Sequence, residues 1–476
     1  LLEISAMTTS QPDLTALPPP WSDPGLAEQN RRAIAASGRV LVALDDDPTG
    51  VQTVHDTPVL ARWTVDDLAA ELAARPPVFF ILTNSRSLPE PEASDLTREI
   101  VENLQAASEQ TSVPVAIASR SDSTLRGHFP AETDAIQAVN GAADGVLLVP
   151  AFFEGGRITL DDVHWVRQGD EWIPAAETEF AKDATFGFTS INLDDWVAEK
   201  TDGRIPAGDV ASLDILTIRE GGPVAVAAFL NELHGGTPLI INAASYEDLD
   251  VVVAGILDAE AAGKRFIYRT AASFVRARAG LPARDLLTRE EVLGADAPSP
   301  LPGLVIAGSH VQKTTEQLAH CQELPGVTTI EVSVPALLAH DASRQEEVRR
   351  VATAATAALV NGQTAVAATS RQVERPAVGA DGLALGQIVS DALVAIVHAV
   401  EINPGWVIGK GGITSSDIGT KGLGAHRAIV LGQVRPGVPV WRLGEESRFP
   451  GLPYVVFPGN VGDAETLAEV ITLLQG

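Results

Sequence analysis

One cysteine and one methionine occur in the 476 residues, and basic side chains are scarce: 34 Lys and Arg face 62 Asp and Glu, a formal charge of −28. The lone cysteine, Cys321, excludes an intramolecular disulfide and any cysteine-based zinc cluster. The acidic balance excludes general nucleic-acid binding, because such a surface repels a phosphate backbone. Its plain reading is solubility, and an anionic ligand needs a local basic site to overcome the field. No run reaches the roughly 18 apolar residues of a membrane span, and the N-terminus lacks a basic-plus-apolar signal pattern. The cytoplasm is therefore the expected compartment. The methionine is Met7, so residues 1–6 are expected to precede the natural start.

What is present is ample core: hydrophobic residues make up 45% and charged residues 20%. At roughly 100–200 residues per domain the length predicts two or three domains. Short apolar runs alternate with Ala/Leu/Glu-rich helical stretches such as Val65–Ala74 and Ser94–Ser108. This predicts an α/β protein of two domains, each a mostly parallel sheet flanked by helices. Expected strands are Val40–Leu44, Val78–Leu82, Pro114–Ala118, Val146–Val149, Ile215–Ile218, Leu239–Ile241 and Phe266–Tyr268. A proline-rich connector at 296–303 breaks the rhythm. Strands resume at Leu304–Ala307, Thr329–Val332, Ala365–Ala368, Trp406–Ile408 and Tyr454–Phe457. The expected organisation is a loose arm at 1–25 through Leu17-Pro18-Pro19-Pro20, a large domain at 26–295, a linker at 296–303 and a smaller domain at 304–476.

In open α/β sheets ligands bind outside the carboxyl ends of the strands. Four polar strings directly follow apolar runs of the first domain: Asp45-Asp46-Asp47-Pro48-Thr49-Gly50, Thr83-Asn84-Ser85-Arg86-Ser87, Ser119-Arg120-Ser121-Asp122-Ser123-Thr124-Leu125-Arg126-Gly127 and Pro150-Ala151-Phe152-Phe153-Glu154-Gly155-Gly156-Arg157. Arg86, Arg120, Arg126 and Arg157 offer forked donors for a carboxylate or phosphate. Asp46, Asp47 and Asp122 can accept hydrogen bonds from hydroxyls, and one can take a proton. Each string taken alone also reads as turn and cap chemistry. Together they point to a small molecule carrying an acid group and hydroxyls, a sugar acid.

The second domain offers a different loop, in which Val407-Ile408 runs into Gly409-Lys410-Gly411-Gly412-Ile413-Thr414-Ser415. Strand, glycine turn and hydroxyl residues opening a helix make an anion site, with helix capping as the bland alternative. It is not a Walker A loop, because Pro404 holds the place of the first glycine and Gly411 follows the lysine. Gly308-Ser309-His310 and Pro458-Gly459-Asn460-Val461-Gly462 also end apolar runs, and three such loops can hold a triphosphate and a ribose. Lys410 reads equally as a phosphate contact or as a solvated side chain. There is no His-Glu-x-x-His, Gly-x-Ser-x-Gly or EF-hand loop. Asp161, Asp162 and His164 read as an exposed turn rather than a metal site, and His55 and His128 as ordinary polar contacts. Trp63, Trp165, Trp172, Trp196 and the Ile388–Val400 helix read as packing.

At these residues the sequence resembles the four-carbon acid-sugar kinases, a family long catalogued as a domain of unknown function. Its Asp-Asp-x-Thr-Gly opening is similar to Asp46-Asp47-Pro48-Thr49-Gly50, and its Asp-Ser-Thr-x-Arg-Gly string to Asp122 through Gly127. Its Pro-Ala…Gly-Arg-x-Thr string is similar to Pro150, Ala151, Gly156, Arg157 and Thr159. Its nucleotide loops resemble Gly308-Ser309, Gly411-Gly412-Ile413-Thr414-Ser415 and Gly459-Asn460-Val461-Gly462. The sequence departs from the family at His128-Phe129-Pro130, where Asn usually follows Arg-Gly, at Ile413, where acidic residues are common, and over Val51–Asp56.

The resemblance implies ATP-dependent phosphorylation of a terminal hydroxyl on threonate, erythronate or 3-oxo-tetronate, with Mg²⁺ offsetting the phosphate charge. Asp46 or Asp122 is expected to orient the hydroxyl and accept its proton. Asp47, Thr49, Arg86, Ser123, Arg126 and Arg157 are expected to bind the acid. Ser309, Gly411, Gly412, Ile413, Thr414 and Gly459 are expected to bind the nucleotide. The expected partners are the sugar acid and ATP, without nucleic acid, membrane or a protein-held metal, and a homodimer is left open. Two other classes remain: a sugar-acid isomerase or aldolase working without ATP, and a non-catalytic sensor of a sugar acid and a nucleotide.

Overall fold

Continuous apolar runs buried on both faces are the signature of parallel strands covered by helices. Val40–Asp45, Val78–Leu82 and Gly145–Val149 are buried along their whole length. A computed structural model describes residues 11–309, 311–371 and 382–476. Met7, residues 1–6 and His310 lie outside the described residues. The chain divides into two units, Leu1–Asp46 with Leu68–Pro77 and Ser85–Leu281, and Asp47–Asp67 with Val78–Asn84 and Pro282–Gly476.

In the first unit the strand order is Val40–Asp45, Val115–Arg120, Phe266–Thr270, Gly145–Val149, Thr237–Ile241 and Ala211–Leu213, every pair parallel. The register aligns their carboxyl ends. Arg120 stands opposite both Asp45 and Thr270, and Thr270 opposite Val149. The polar strings that follow therefore emerge at one sheet edge, where Asp46 N donates to Arg120 O and Ser121 N to Thr270 O. A separate antiparallel sheet joins Arg157–Leu160, Val163–Gln168 and Glu171–Pro174. Trp196, Phe129, Leu125, Leu148 and Ile240 form one core cluster, and a fully buried Leu or Ile contributes about 1.5–3 kcal/mol.

In the second unit the order is Val327–Val332, Thr364–Thr369, Leu304–Ala307, Val407–Lys410, Pro453–Phe457, Val438–Leu443, Arg427–Arg435, Thr57–Leu60 and Val78–Leu82. The first four pairings are parallel. The next three are antiparallel and the last is parallel. Val305, Ile408, Val455 and Phe457 pack with Leu467, Ile471 and Leu474 of the Thr466–Gln475 helix, and with Leu318 and Cys321.

Three expectations change. Ile215–Ile218 is helical, not a strand: Ile215 and Ile218 are buried while Leu216 is half-exposed, a three-residue spacing that suits a helix. The Asp214 carboxylate starts the turn by accepting from Thr217 N at 2.7 Å. The stretch around Leu17 is not loose: Pro18 O accepts from Arg219 Nη1 at 2.7 Å, Leu17 packs on the Ile158 cluster, and the Trp21 ring fills the space over Gly222. Asp161 and Asp162 do form a two-residue turn, with φ of 52° and 58°, a hairpin geometry that suits Asp. His164 beyond it is buried rather than exposed. Trp165 and Trp196 are buried packing residues as expected.

Candidate active site

Asp46 follows the Val40–Asp45 strand and is buried. Arg86 clamps it with both arms of its fork, Nη2 to Oδ1 at 2.7 Å and Nε to Oδ2 at 3.1 Å. Arg120 Nη1 stands 3.0 Å from Asp45 Oδ1 and 3.8 Å from Asp46 Oδ1. The Arg86 fork is thus engaged by a carboxylate of the protein. Asp122 accepts from Arg126 Nε at 2.7 Å and from Thr124 Oγ1. Burial alone pushes the Asp122 carboxyl up, but the charges of Arg86 and Arg126 with these hydrogen bonds hold it well below the usual carboxylate range. Arg126 also lies 3.7 Å from Asp183 and over the Phe180 ring.

Gly127 shows why the Arg-Gly pair closes this motif. Its φ is +116°, and a Cβ there would lie 3.1 Å from both Asp46 Oδ2 and Arg269 Nη2, and 3.3 Å from Ser121 Oγ. A side chain would fill the point on which these groups converge. Arg269 and Glu132 were not among the sequence expectations. Arg269 is the last residue but one of the buried Phe266–Thr270 strand, and its Nη2 donates to Arg126 O at 3.1 Å. Glu132 is buried and accepts from Ser85 Oγ at 2.6 Å and Ser119 Oγ at 3.0 Å. Burial pushes its carboxyl up against the opposing charge of Arg269. The signal for Arg269 was present, since it too is polar at the end of an apolar run; Glu132, inside a helix, carried none.

Arg157 lies over the Phe152 ring, with Nη1 on Gly155 O. Ser123 is buried and contributes its carbonyl, which His164 Nε2 meets at 2.8 Å. Burial pushes His164 down to about 4. Four buried polar atoms around these residues, Arg120 Nε, Ser121 Oγ, Arg157 Nε and Arg269 Nη1, have no hydrogen-bond partner among the described residues. His128 makes an ordinary polar contact, its Nε2 meeting Ser85 O at 3.1 Å and Leu88 O at 3.0 Å.

The second unit brings its three glycine loops together. Gly411 has φ +114°, and a Cβ there would come within 3.0 Å of Ser309 Cβ. One at Gly459 would lie 2.9 Å from Ser309 Oγ, and one at Gly308 would run into Thr414 Oγ1. Thr314 Oγ1 donates to Gly459 O at 3.0 Å and meets Ser309 Oγ at 3.2 Å. Ser309, Gly411, Thr414 and Gly459 are therefore neighbours, and Ile413 is exposed beside them. Lys410 is not solvated: it is fully buried, donating from Nζ to Pro458 O at 2.6 Å and Gly459 O at 3.2 Å. Burial pushes its ammonium down to about 7. Asp47 and Thr49 belong to this unit. Asp47 Oδ1 accepts from Thr49 N at 2.8 Å, and its Oδ2 lies 3.5 Å from where a Gly412 Cβ would stand.

These loops suit a polyphosphate: backbone amides opened by glycines, with hydroxyls of Ser309, Thr314 and Thr414 alongside. No group of three or more His, Cys, Asp or Glu able to hold a metal occurs among the described residues, and no helix among them is long and apolar enough to cross a membrane.

Comparison with known proteins agrees with this division. The family of sugar-binding N-terminal domains matches residues 41–278, and that of nucleotide-binding C-terminal domains matches residues 304–467. A D-erythronate kinase of Heliobacterium modesticaldum (strain ATCC 51547 / Ice1) is 28% identical over 179 residues, which cover 37% of this chain and 38% of that protein. The match thus spans little more than a third of that relative's length. A Salmonella typhimurium LT2 protein solved as a candidate tRNA synthase superposes with a TM-score of 0.66 at 16% identity, over 90% of this chain and 98% of that one. A Haemophilus influenzae protein from a domain-of-unknown-function family gives 0.60 at 17% identity, over 91% and 100%. At such identities the likeness is one of fold.

Proposed function

The chain belongs to the four-carbon acid-sugar kinase family, whose two domains match residues 41–278 and 304–467, and on that premise we propose that it transfers a phosphoryl group from ATP to a terminal hydroxyl of a sugar acid such as threonate, erythronate or 3-oxo-tetronate. The observation that carries this reading is the set of buried donors with no partner among the described residues, Arg120 Nε, Ser121 Oγ, Arg157 Nε and Arg269 Nη1. Each unmet buried donor costs about 1–3 kcal/mol, and a small hydroxylated anion offsets that cost. Guanidinium edges suit its carboxylate, while Ser121 and the carboxylates of Asp46 and Asp122 suit its hydroxyls.

Asp122, held well below the usual carboxylate range, is a weak base. Its part is to accept a hydrogen bond from the acceptor hydroxyl, taking the proton only as the new O–P bond forms. Asp46, clamped by Arg86, is rigid enough to orient the same group. Ser309, Gly411 to Thr414 and Gly459 cradle the phosphates, and Lys410 ties the Gly411 turn to the Gly459 loop. ATP, when bound, supplies the phosphoryl group, and Mg²⁺ arriving with it offsets the charge. Alignment and charge stabilisation supply most of the acceleration in such transfers.

The test is coupled ADP release over a panel of four-carbon sugar acids. One acid should give saturable release, with its KM raised by Arg126→Ala and the ATP KM raised by Gly411→Ala. ATP binding without release on any acid would favour a sensor, and acid conversion without ATP an isomerase or aldolase.

A further inference from the structure

The first unit has another cavity, of about 350 Å³, at the start of the Val40–Asp45 strand and so at the sheet edge opposite the candidate active site. Arg31, Arg39 and Arg75 line it together with an apolar wall that includes Ile34, Val40 and Leu281. No Asp or Glu is among the described residues that line it, in a chain whose formal charge is −28. Two of the three arginines already have a carboxylate partner. Glu28 accepts from Arg31 through Nε, at 2.9 Å, and through Nη2, and Glu260 stands 3.3 Å from Arg39 Nη1. Glu260 is itself held by Arg278 Nη2 and Tyr268 OH, both at 2.8 Å, so Arg39 shares that carboxylate with two other groups. Gly280, at φ +65°, lets the stem of Arg31 lie against the backbone, since a Cβ there would stand 2.9 Å from Arg31 Cγ.

Arg75 adds a third guanidinium to this wall, its Nη1 3.5 Å from where a Gly38 Cβ would stand, and an anion in the cavity would be drawn to all three. Their forks match phosphate oxygens, and the volume and apolar wall suit a small organic body. We propose that this cavity binds a small phosphate monoester with an apolar body, at a site separate from the candidate active site. The inference does not depend on the kinase reading, because none of its residues takes part in that site.

Isothermal titration of the full chain with phenyl phosphate, and with inorganic phosphate for comparison, tests it. Phenyl phosphate should bind saturably and more tightly than inorganic phosphate. Arg75→Ala should weaken it by at least about tenfold, the loss expected for a charge-assisted hydrogen bond. Ala35→Trp, which fills the cavity from an exposed helix position, should abolish it, and Arg126→Ala should leave it intact. Unchanged thermal midpoints in the Arg75 and Ala35 variants show that the fold persists. Absence of binding, equal binding of the two probes, or loss in Arg126→Ala with retention in the cavity variants would each overturn the proposal.

Discussion

The two candidate ligand regions are built from different materials. In the first unit the groups are charged side chains locked to one another: Arg86 on Asp46, Arg126 on Asp122 and Arg120 on Asp45. In the second unit the groups are mostly backbone, with hydroxyls and one buried lysine spent on carbonyls. A small acid presents a particular arrangement of charge and hydroxyls, and side chains can be placed to match it. A polyphosphate presents a chain of similar oxygens, and amides opened by glycines suit it whatever the acceptor. Specificity should then reside in the first unit and be altered there by single side chains, while the second is sensitive to backbone and to what braces it.

The largest effect should come from cutting the charge network. Asp46→Asn leaves Arg86 facing a neutral amide, and losing one member of a buried pair costs about 3–5 kcal/mol. Turnover of the acid should fall on the order of 10²–10³-fold, while nucleotide affinity measured by titration stays within about twofold. An equal loss of nucleotide binding would remove the contrast between the regions.

A smaller effect follows from His164, buried against Thr159, the Ser123 carbonyl and the charges of Arg157 and Asp122. Its folded pKa of about 4 lies below the ordinary 6.5, so the unfolded chain takes up the proton first as pH falls. Its contribution is whole above about pH 6.5 and is lost progressively down to pH 4, about 2 kcal/mol by pH 5. Thermal midpoints at pH 5 and pH 8 should therefore differ less in His164→Gln than in the parent. A slope unchanged by the substitution would show that this histidine is not buried neutral.

The smallest effect should separate the regions from the other side. Lys410→Met keeps the stem over Phe457 but removes the bonds to Pro458 O and Gly459 O. Nucleotide affinity should drop about tenfold, the worth of one or two hydrogen bonds, with acid affinity unchanged. If acid affinity fell equally, the lysine would brace more than the nucleotide loops.

Most strands and each glycine loop were legible along the chain, because buried parallel strands read as apolar runs and punctuation by glycine and hydroxyl residues is local. Ile215–Ile218 misled because a short apolar run reads as a buried strand when the cap at Asp214 is overlooked. Lys410 misled because a lysine is seldom fully buried. The parting of Asp46 from Asp47 was hidden entirely, since adjacent residues that alternate in direction can serve different neighbours: one meets Arg86, the other faces the Gly412 position.

Local order thus sufficed for the α/β class and for the polar and glycine-rich strings at strand ends. It did not reach the pairing of Arg86 with Asp46, the arrival of Arg269 beside Gly127, or the burial of Glu132 under two serines. Those contacts join residues far apart in the chain, and the one at Gly127 follows from the parallel register that lines up the strand ends. Side-chain direction and burial are set by that alignment, which no window of neighbouring residues contains.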